Sequence, residues 1–137
     1  MTHNTKAQAA QRAADLMANR WHCSEAIFIA VGEHELGDLS EQMIKMSTPF
    51  AGGIGGQHLD LCGALTGGIM AIGAARGRAD SSIDDQACQT LAADYRNAFL
   101  EKFGSLICAD LKQGECGELT RQASLLLMDL LEETKNL

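Results

Sequence analysis

The chain has few of the residues that break helices or build sheets. It contains a single proline and 4% aromatic residues in a length of 137, and it lacks runs of alternating polar and apolar residues. Apolar residues nevertheless make up 46% of the chain, which argues against disorder and is enough to bury a core. We therefore expect an all-α fold, organised as a single domain over residues 1–137.

Positive charge and long apolar runs are also scarce. The net charge is −7, which argues against nucleic acid or an anionic membrane surface as a partner, because both attract clustered cations. The uncharged run Leu61–Ala75 has 15 residues, fewer than the roughly 20 of a membrane-spanning helix. The first 20 residues lack the apolar segment of a signal peptide. We expect a cytoplasmic protein whose cysteines are free, catalytic or metal-bound rather than joined in structural disulfides.

Apolar residues recur at helical spacing and predict a compact bundle of about six helices. The predicted helices are Thr5–Asn19, His22–Glu35, a third that is capped by Ser40 and ends before Pro49, Asp60–Arg76, a fifth that opens at Ser81 or Ser82, and Cys116–Glu133. A short helical turn inside a loop is predicted for Gly104–Glu115. The predicted inner faces are Ala9, Ala13, Leu16 and Met17 in the first helix, Ile27, Phe28 and Val31 in the second, and Ile83, Ala87, Leu91, Ala98, Phe99 and Phe103 in the fifth.

The fourth predicted helix carries a ridge of small residues. Gly63, Gly67, Ala71 and Ala75 recur at every fourth position, and each glycine inside a helix costs about 1 kcal/mol relative to alanine. Close approach of a neighbouring backbone would offset that cost, so we expect this helix to lie at the centre of the bundle. The same ridge also allows a homodimer, in which a second copy supplies the neighbouring helix.

Four of the five cysteines are predicted to meet at one end of the bundle. If each short connection reverses the chain, as in antiparallel bundles, then Cys23, Cys62, Cys108 and Cys116 fall at the same end. Cys88 falls two turns into the fifth helix, roughly 24 Å away at a rise of 1.5 Å per residue. We predict that Cys88 is a buried core residue.

Helix starts are expected to activate some of these thiols. Cys23, Cys62 and Cys116 lie at or near predicted helix starts. Unpaired N–H groups and the positive end of the helix dipole lower the pKa of a thiol there, which favours the thiolate that reacts and binds metal.

Two neighbouring features are given structural interpretations. The glycine-rich stretch "GGIGG" at positions 52–56 has no phosphate-loop lysine after it and no strand before it, so we expect it to let the backbone approach the cysteine end closely. His22 and His58 could ligate a metal or tune a thiolate. We interpret both as solvated loop residues.

Several stretches carry a family resemblance: "HCSEAI", "FAGGIGG", "CGALTGGIMAIGAARGR", "FGSLICADL" and a cysteine that opens the final helix. Over about Cys23–Glu133 they resemble the C_GCAxxG_C_C family of redox-active proteins, with "CGALTG" at Cys62–Gly67 as the specific motif. The resemblance places the family cysteines on Cys23, Cys62, Cys108 and Cys116. It implies a redox role, as an oxidoreductase or an electron carrier, and a redox partner linked to a membrane transporter.

Three chemistries suit these four cysteines. They match the ligands of an iron–sulfur cluster, which is also implied by similarity to the helical domain of split-Soret cytochromes, and this is the interpretation we favour from the sequence. The same thiols could hold zinc, or could work without metal as dithiol/disulfide pairs. The contrasting class is a non-enzymatic acidic helical adaptor with incidental cysteines. No C-x-x-C-H site is present, so haem is not implied.

Overall fold

The computed structural model describes residues 5–135 and shows an all-α fold, as predicted. Its seven α-helices are α1 (Lys6–Ala18), α2 (Cys23–Leu36), α3 (Glu41–Ser47), α4 (Gly63–Arg76), α5 (Gln86–Phe103), α6 (Cys108–Leu111) and α7 (Cys116–Glu133), and a 3₁₀ turn at Thr48–Phe50 follows α3. The expected cap of the third helix is confirmed, because the Ser40 hydroxyl accepts a hydrogen bond from the Met43 N–H at 3.1 Å. No helix within residues 5–135 is both long enough and apolar enough to cross a membrane.

The centre of the bundle is shared by α2 and α4. Every residue from 24 to 32 of α2 is buried, and so is every residue from 63 to 68 of α4. The two helices approach closely because α4 presents glycine to α2: a Cβ at Gly67 would collide with the Ser24 carbonyl oxygen and would lie 2.8 Å from an Ile27 methyl group. At Gly63 and Gly67 the small-residue ridge is therefore filled from within the chain.

The remaining long helices enclose this pair. The helix α1 packs between α2 and α7, while α5 packs on α4 and α7. Tyr95 of α5 is fully buried and donates a hydrogen bond from its hydroxyl to the Ala64 carbonyl oxygen at 2.8 Å. Its ring lies over Gly68, where a Cβ would stand 2.7 Å from the ring edge. A second glycine of α4 thus makes room for an aromatic side chain.

Two helix starts differ from the prediction. The fourth helix begins at Gly63 rather than Asp60, because the chain before it pairs with another segment: Leu61 forms an antiparallel bridge with Ile107. The fifth helix begins at Gln86 rather than Ser81 or Ser82.

The late start of α5 has a local cause in side-chain turns. The Asp80 carboxylate accepts from the Ser82 N–H, and the Asp84 carboxylate accepts from the Gln86 N–H, both at 2.9 Å. Such turns compete with helical hydrogen bonds. The predicted inner positions Ile83 and Ala87 are consequently exposed.

The close approach of α4 to α2 predicts opposite effects for two glycines of one helix. Gly67→Ala should lower the free energy of unfolding by about 1–3 kcal/mol, because a methyl group there overpacks a rigid backbone contact. Gly73→Ala is the matched control: its Cβ would meet nothing within 4 Å, so it should raise the free energy of unfolding by up to about 1 kcal/mol through helix propensity. Urea unfolding followed by circular dichroism measures both. Equal stabilities for the two variants would show that α2 does not lie against Gly67.

Candidate redox site

Four cysteines from four helix starts surround one small cavity. Its volume is about 30 Å³, enough to admit a group of the size of a water molecule. The residues that line it are Cys23, Cys62, Cys108, Leu111, Lys112, Cys116, Leu119 and Thr120. The structure thus brings together all four cysteines that the topology argument collected. All five cysteines of the chain carry free thiols.

Each of the four thiols lies where a helix begins. Cys23, Cys108 and Cys116 are the first residues of α2, α6 and α7, and Cys62 is the residue that precedes α4. Cys108 begins the short helix α6, which lies within Gly104–Glu115, where a short helical turn was predicted. The arrangement depends on rigid elements, because each sulfur is attached to the first turn of a helix or to its cap.

Backbone pairing aligns Cys62 with Cys108. The Cys62 N–H donates to the Leu106 carbonyl oxygen at 2.7 Å, and the Cys108 N–H donates to the Asp60 carbonyl oxygen at 2.9 Å. These two hydrogen bonds flank the Leu61–Ile107 bridge. Residues that are far apart in the sequence are therefore held in register, and both cysteines reach the same cavity.

The glycine after Cys62 makes room for the sulfur of Cys23. A Cβ at Gly63 would collide with the Cys23 Sγ and would lie 3.0 Å from the Ser24 backbone nitrogen. Any side chain at this position would push α4 away from the start of α2. The Cys-Gly pair of the "CGALTG" motif therefore has a direct physical reason: the glycine lets the thiol of Cys62 approach that of Cys23.

The site stabilises one thiolate, at Cys23. The pKa of Cys23 is lowered to about 6, mainly because the Cys62 thiol donates a hydrogen bond to its sulfur. The backbone N–H groups of Gly52, Ser24 and Gly63 also donate to it, against the opposing effect of burial. The pKa of Cys62 is raised for the same reason, since Cys62 is the donor in this pair and is itself buried. At neutral pH the pair holds one proton.

The other two thiols are neutral. Burial raises the pKa of Cys108 and of Cys116, and the negative charge of Cys23 raises both further. Lys112 acts in the opposite direction on Cys108. The expectation that helix starts would favour the thiolate at Cys62 and Cys116 is therefore wrong. The first thiolate in the cavity makes a second one unfavourable, because like charges in a partly buried site repel.

The glycine-rich loop at positions 52–56 lies against two cysteines on separate helices, Cys23 in α2 and Cys108 in α6. Residues 52–56 all have positive φ, between 58° and 74°, a left-handed backbone that favours glycine. This path directs the Gly52 N–H to the Cys23 sulfur. It also lays Gly53 on Cys108, where a Cβ would stand 2.8 Å from that of the cysteine. The predicted close approach of this loop to the cysteine end is confirmed.

His58 is not the solvated loop residue that we expected. It is half-buried, and its Nδ1 lies 3.2 Å from the Cys108 Sγ. Its backbone N–H donates to the Gly52 carbonyl oxygen at 2.7 Å, which folds the end of the loop back over the site. The signal in the sequence was its position four residues before Cys62. His22, in contrast, is exposed at the start of α2, as expected.

Cys88 does not belong to this cluster. It lies in the first turn of α5 rather than two turns into the helix. It is half-buried and packs against the hydrophobic core, so the prediction of a fully buried residue was too strong. Cys88 is absent from the lining of the cysteine cavity.

The structure defines an all-α protein with four cysteines around one cavity at one end of the bundle. The chain belongs to the family whose model is described as "Putative redox-active protein (C_GCAxxG_C_C)", which matches residues 21–130. Comparison with curated proteins and with solved structures found no similar protein.

The low pKa of the Cys23 thiol predicts an unusual pH dependence of its alkylation. Because the pKa of Cys23 is about 6, its rate of reaction with iodoacetamide should rise with pH through about 6 and level off above it, since only the thiolate reacts. Mass spectrometry of the alkylated peptides measures this rate.

The donor at Cys62 provides the control. Cys62→Ala removes the largest cause of the low pKa of Cys23, so the midpoint should move up towards that of an ordinary thiol. Cys62→Ser keeps a hydroxyl donor and should move it less. An unchanged midpoint in Cys62→Ala would contradict the pairing.

Proposed function

We propose that this protein exchanges electrons in pairs by thiol–disulfide chemistry, with Cys23 as the attacking thiolate and Cys62 as the resolving thiol. The observation that supports this most directly is that Cys23 and Cys62 line one cavity, with the Cys23 sulfur against Gly63, the residue after Cys62; there the Cys62 thiol lowers the pKa of Cys23. A thiolate with a low pKa beside a second thiol is the arrangement used for disulfide exchange. The family description as redox-active agrees with this chemistry.

The oxidised substrate of the proposed reaction is a disulfide. With this substrate the atoms and electrons of each step balance. The Cys23 thiolate attacks one sulfur of the substrate, forms a mixed disulfide and releases the other sulfur as a thiolate, which takes the proton of Cys62. The Cys62 sulfur then attacks Cys23, closes the Cys23–Cys62 disulfide and releases the second substrate thiolate. The substrate gains two electrons and the protein loses two. The reverse reaction oxidises a dithiol.

The setting of the pair suits exchange with a partner. Cys23 is half-buried, whereas Cys62 is 7% exposed. In this proposal the incoming disulfide reacts with Cys23 first because the thiolate is the nucleophile, and Cys62 reacts after the mixed disulfide has formed. We propose a redox partner that carries a disulfide or dithiol, in the cytoplasm, where thiols are kept reduced. A transporter-linked protein is one such partner.

An iron–sulfur cluster is the second candidate. The observation in its favour is that four thiols line one cavity, which matches the ligands of such clusters in kind and number. Cys23, Cys62, Cys108 and Cys116 would hold it, and it would supply one-electron transfer; zinc could use the same thiols. The spacing fits less well, because no three Cys, His, Asp or Glu residues within 5–135 are grouped as a metal site requires.

Stoichiometric oxidation distinguishes these candidates. One equivalent of diamide should consume two thiols of the metal-free protein, and peptide mapping should find a Cys23–Cys62 disulfide. Cys62→Ser should lose this disulfide, because a hydroxyl cannot form one. Cys88→Ser should keep it, because Cys88 packs against the core, although burial of an unpaired hydroxyl can cost about 1–3 kcal/mol of stability.

Iron and acid-labile sulfide in anaerobically purified protein provide the opposing outcome. A brown protein that loses its iron in Cys23→Ser, Cys62→Ser, Cys108→Ser and Cys116→Ser, but not in Cys88→Ser, would favour the cluster over the disulfide. A colourless protein whose four thiols react with neither oxidant nor iodoacetamide would favour the adaptor.

A further inference from the structure

Cys108 is held by more contacts than its neighbour Cys116. Its backbone N–H is bonded to the Asp60 carbonyl oxygen, its Cβ rests on Gly53, and its sulfur lies 3.2 Å from the Nδ1 of His58. Cys108 is only 8% exposed, whereas Cys116 is half-buried. The sulfur of Cys108 is thus fixed in the same small cavity as the Cys23–Cys62 pair.

The backbone is bent to bring His58 to this sulfur. His58 has a φ of 66°, a left-handed conformation in which asparagine, aspartate and histidine are enriched among residues other than glycine. The ring also needs a glycine beside it, because a Cβ at Gly52 would lie 3.3 Å from the His58 Cε1. The contact between ring and sulfur is therefore built by the loop that also donates the Gly52 N–H to Cys23.

From these contacts we propose that His58 is a positioning residue: its Nδ1 contact fixes the Cys108 sulfur in the cavity, where Cys108 takes over the disulfide first formed between Cys23 and Cys62. This inference rests on the proposed function. In the exchange, the Cys108 sulfur attacks Cys23, the Cys23–Cys62 bond breaks, and Cys62 leaves as a thiolate that takes up the proton of Cys108. The number of disulfides is unchanged, and no further oxidant is required. Oxidation would then pass from the thiol that meets the substrate to a third, buried thiol.

After this exchange a second thiol of the site can react, and no further molecule of substrate is needed to release it. Once Cys108 is bonded to Cys23, Cys62 is again a free thiol beside the site. Loss of the His58 contact should leave the first disulfide intact and remove only the second step. This separates a positioning role from a general role in stability.

Two substitutions at His58 test the proposal. Asparagine tolerates positive φ, and its side-chain amide places a polar atom where the His58 Nδ1 stands, so His58→Asn should keep the contact. Glycine adopts the same backbone without strain but has no side chain, so His58→Gly should lose it. The experiment treats each protein with one equivalent of diamide, quenches with acid at increasing times and maps the disulfides by mass spectrometry.

We expect disulfides of Cys108 to accumulate after the Cys23–Cys62 disulfide in the wild type and in His58→Asn, and to fall at least about tenfold in His58→Gly, a factor that corresponds to 1.4 kcal/mol. The Cys23–Cys62 disulfide should form at the same rate in all three. Cys108 disulfides that are equally abundant in His58→Gly, or absent from the wild type while Cys23–Cys62 forms, would overturn the role of His58. If Cys23–Cys62 fails to form in the wild type, it is the proposed function that fails.

Discussion

The contact on which the rest of the structure depends is the close approach of α4 to the start of α2. It is possible only because Gly63 and Gly67 present no side chain to the Cys23–Ser24 backbone. The approach buries the centre of the bundle, and it also brings the Cys62 thiol to the Cys23 sulfur. Packing and chemistry are therefore not separable in this helix. A substitution that loosened the core would also move the donor away from the thiolate.

Electrostatic interactions then give the four clustered cysteines different protonation states. The donors around Cys23 stabilise a single negative charge in the cavity, and that charge, together with burial, keeps Cys108 and Cys116 neutral. The site can therefore hold one thiolate and three neutral thiols at the same pH. An array of four equal thiolates would repel one another and would react without order.

Much of the fold, and the gathering of the four thiols, could be predicted because helical periodicity and chain reversal depend on local spacing. The protonation state of each thiol could not be predicted in this way. A helix start favours the thiolate at every cysteine. The pKa of Cys62 nevertheless depends on the hydrogen bond between its thiol and Cys23, and the pKa of Cys116 depends on burial and on the charge of Cys23. His58 was set aside because its contact with Cys108 follows from left-handed loop geometry, which periodicity does not report. The start of α5 was missed because Asp80 and Asp84 cap turns that compete with a helix.

The packing of α4 on α2 has a consequence for biosynthesis. A chain leaves the ribosome from its N-terminus, so Cys23 emerges well before the donors that stabilise its charge, and Cys108 later still. Until α4 packs on α2, Cys23 is an ordinary thiol and is mostly protonated at neutral pH. The Cys23 thiolate is thus stabilised only after α4 has been synthesised and has packed on α2.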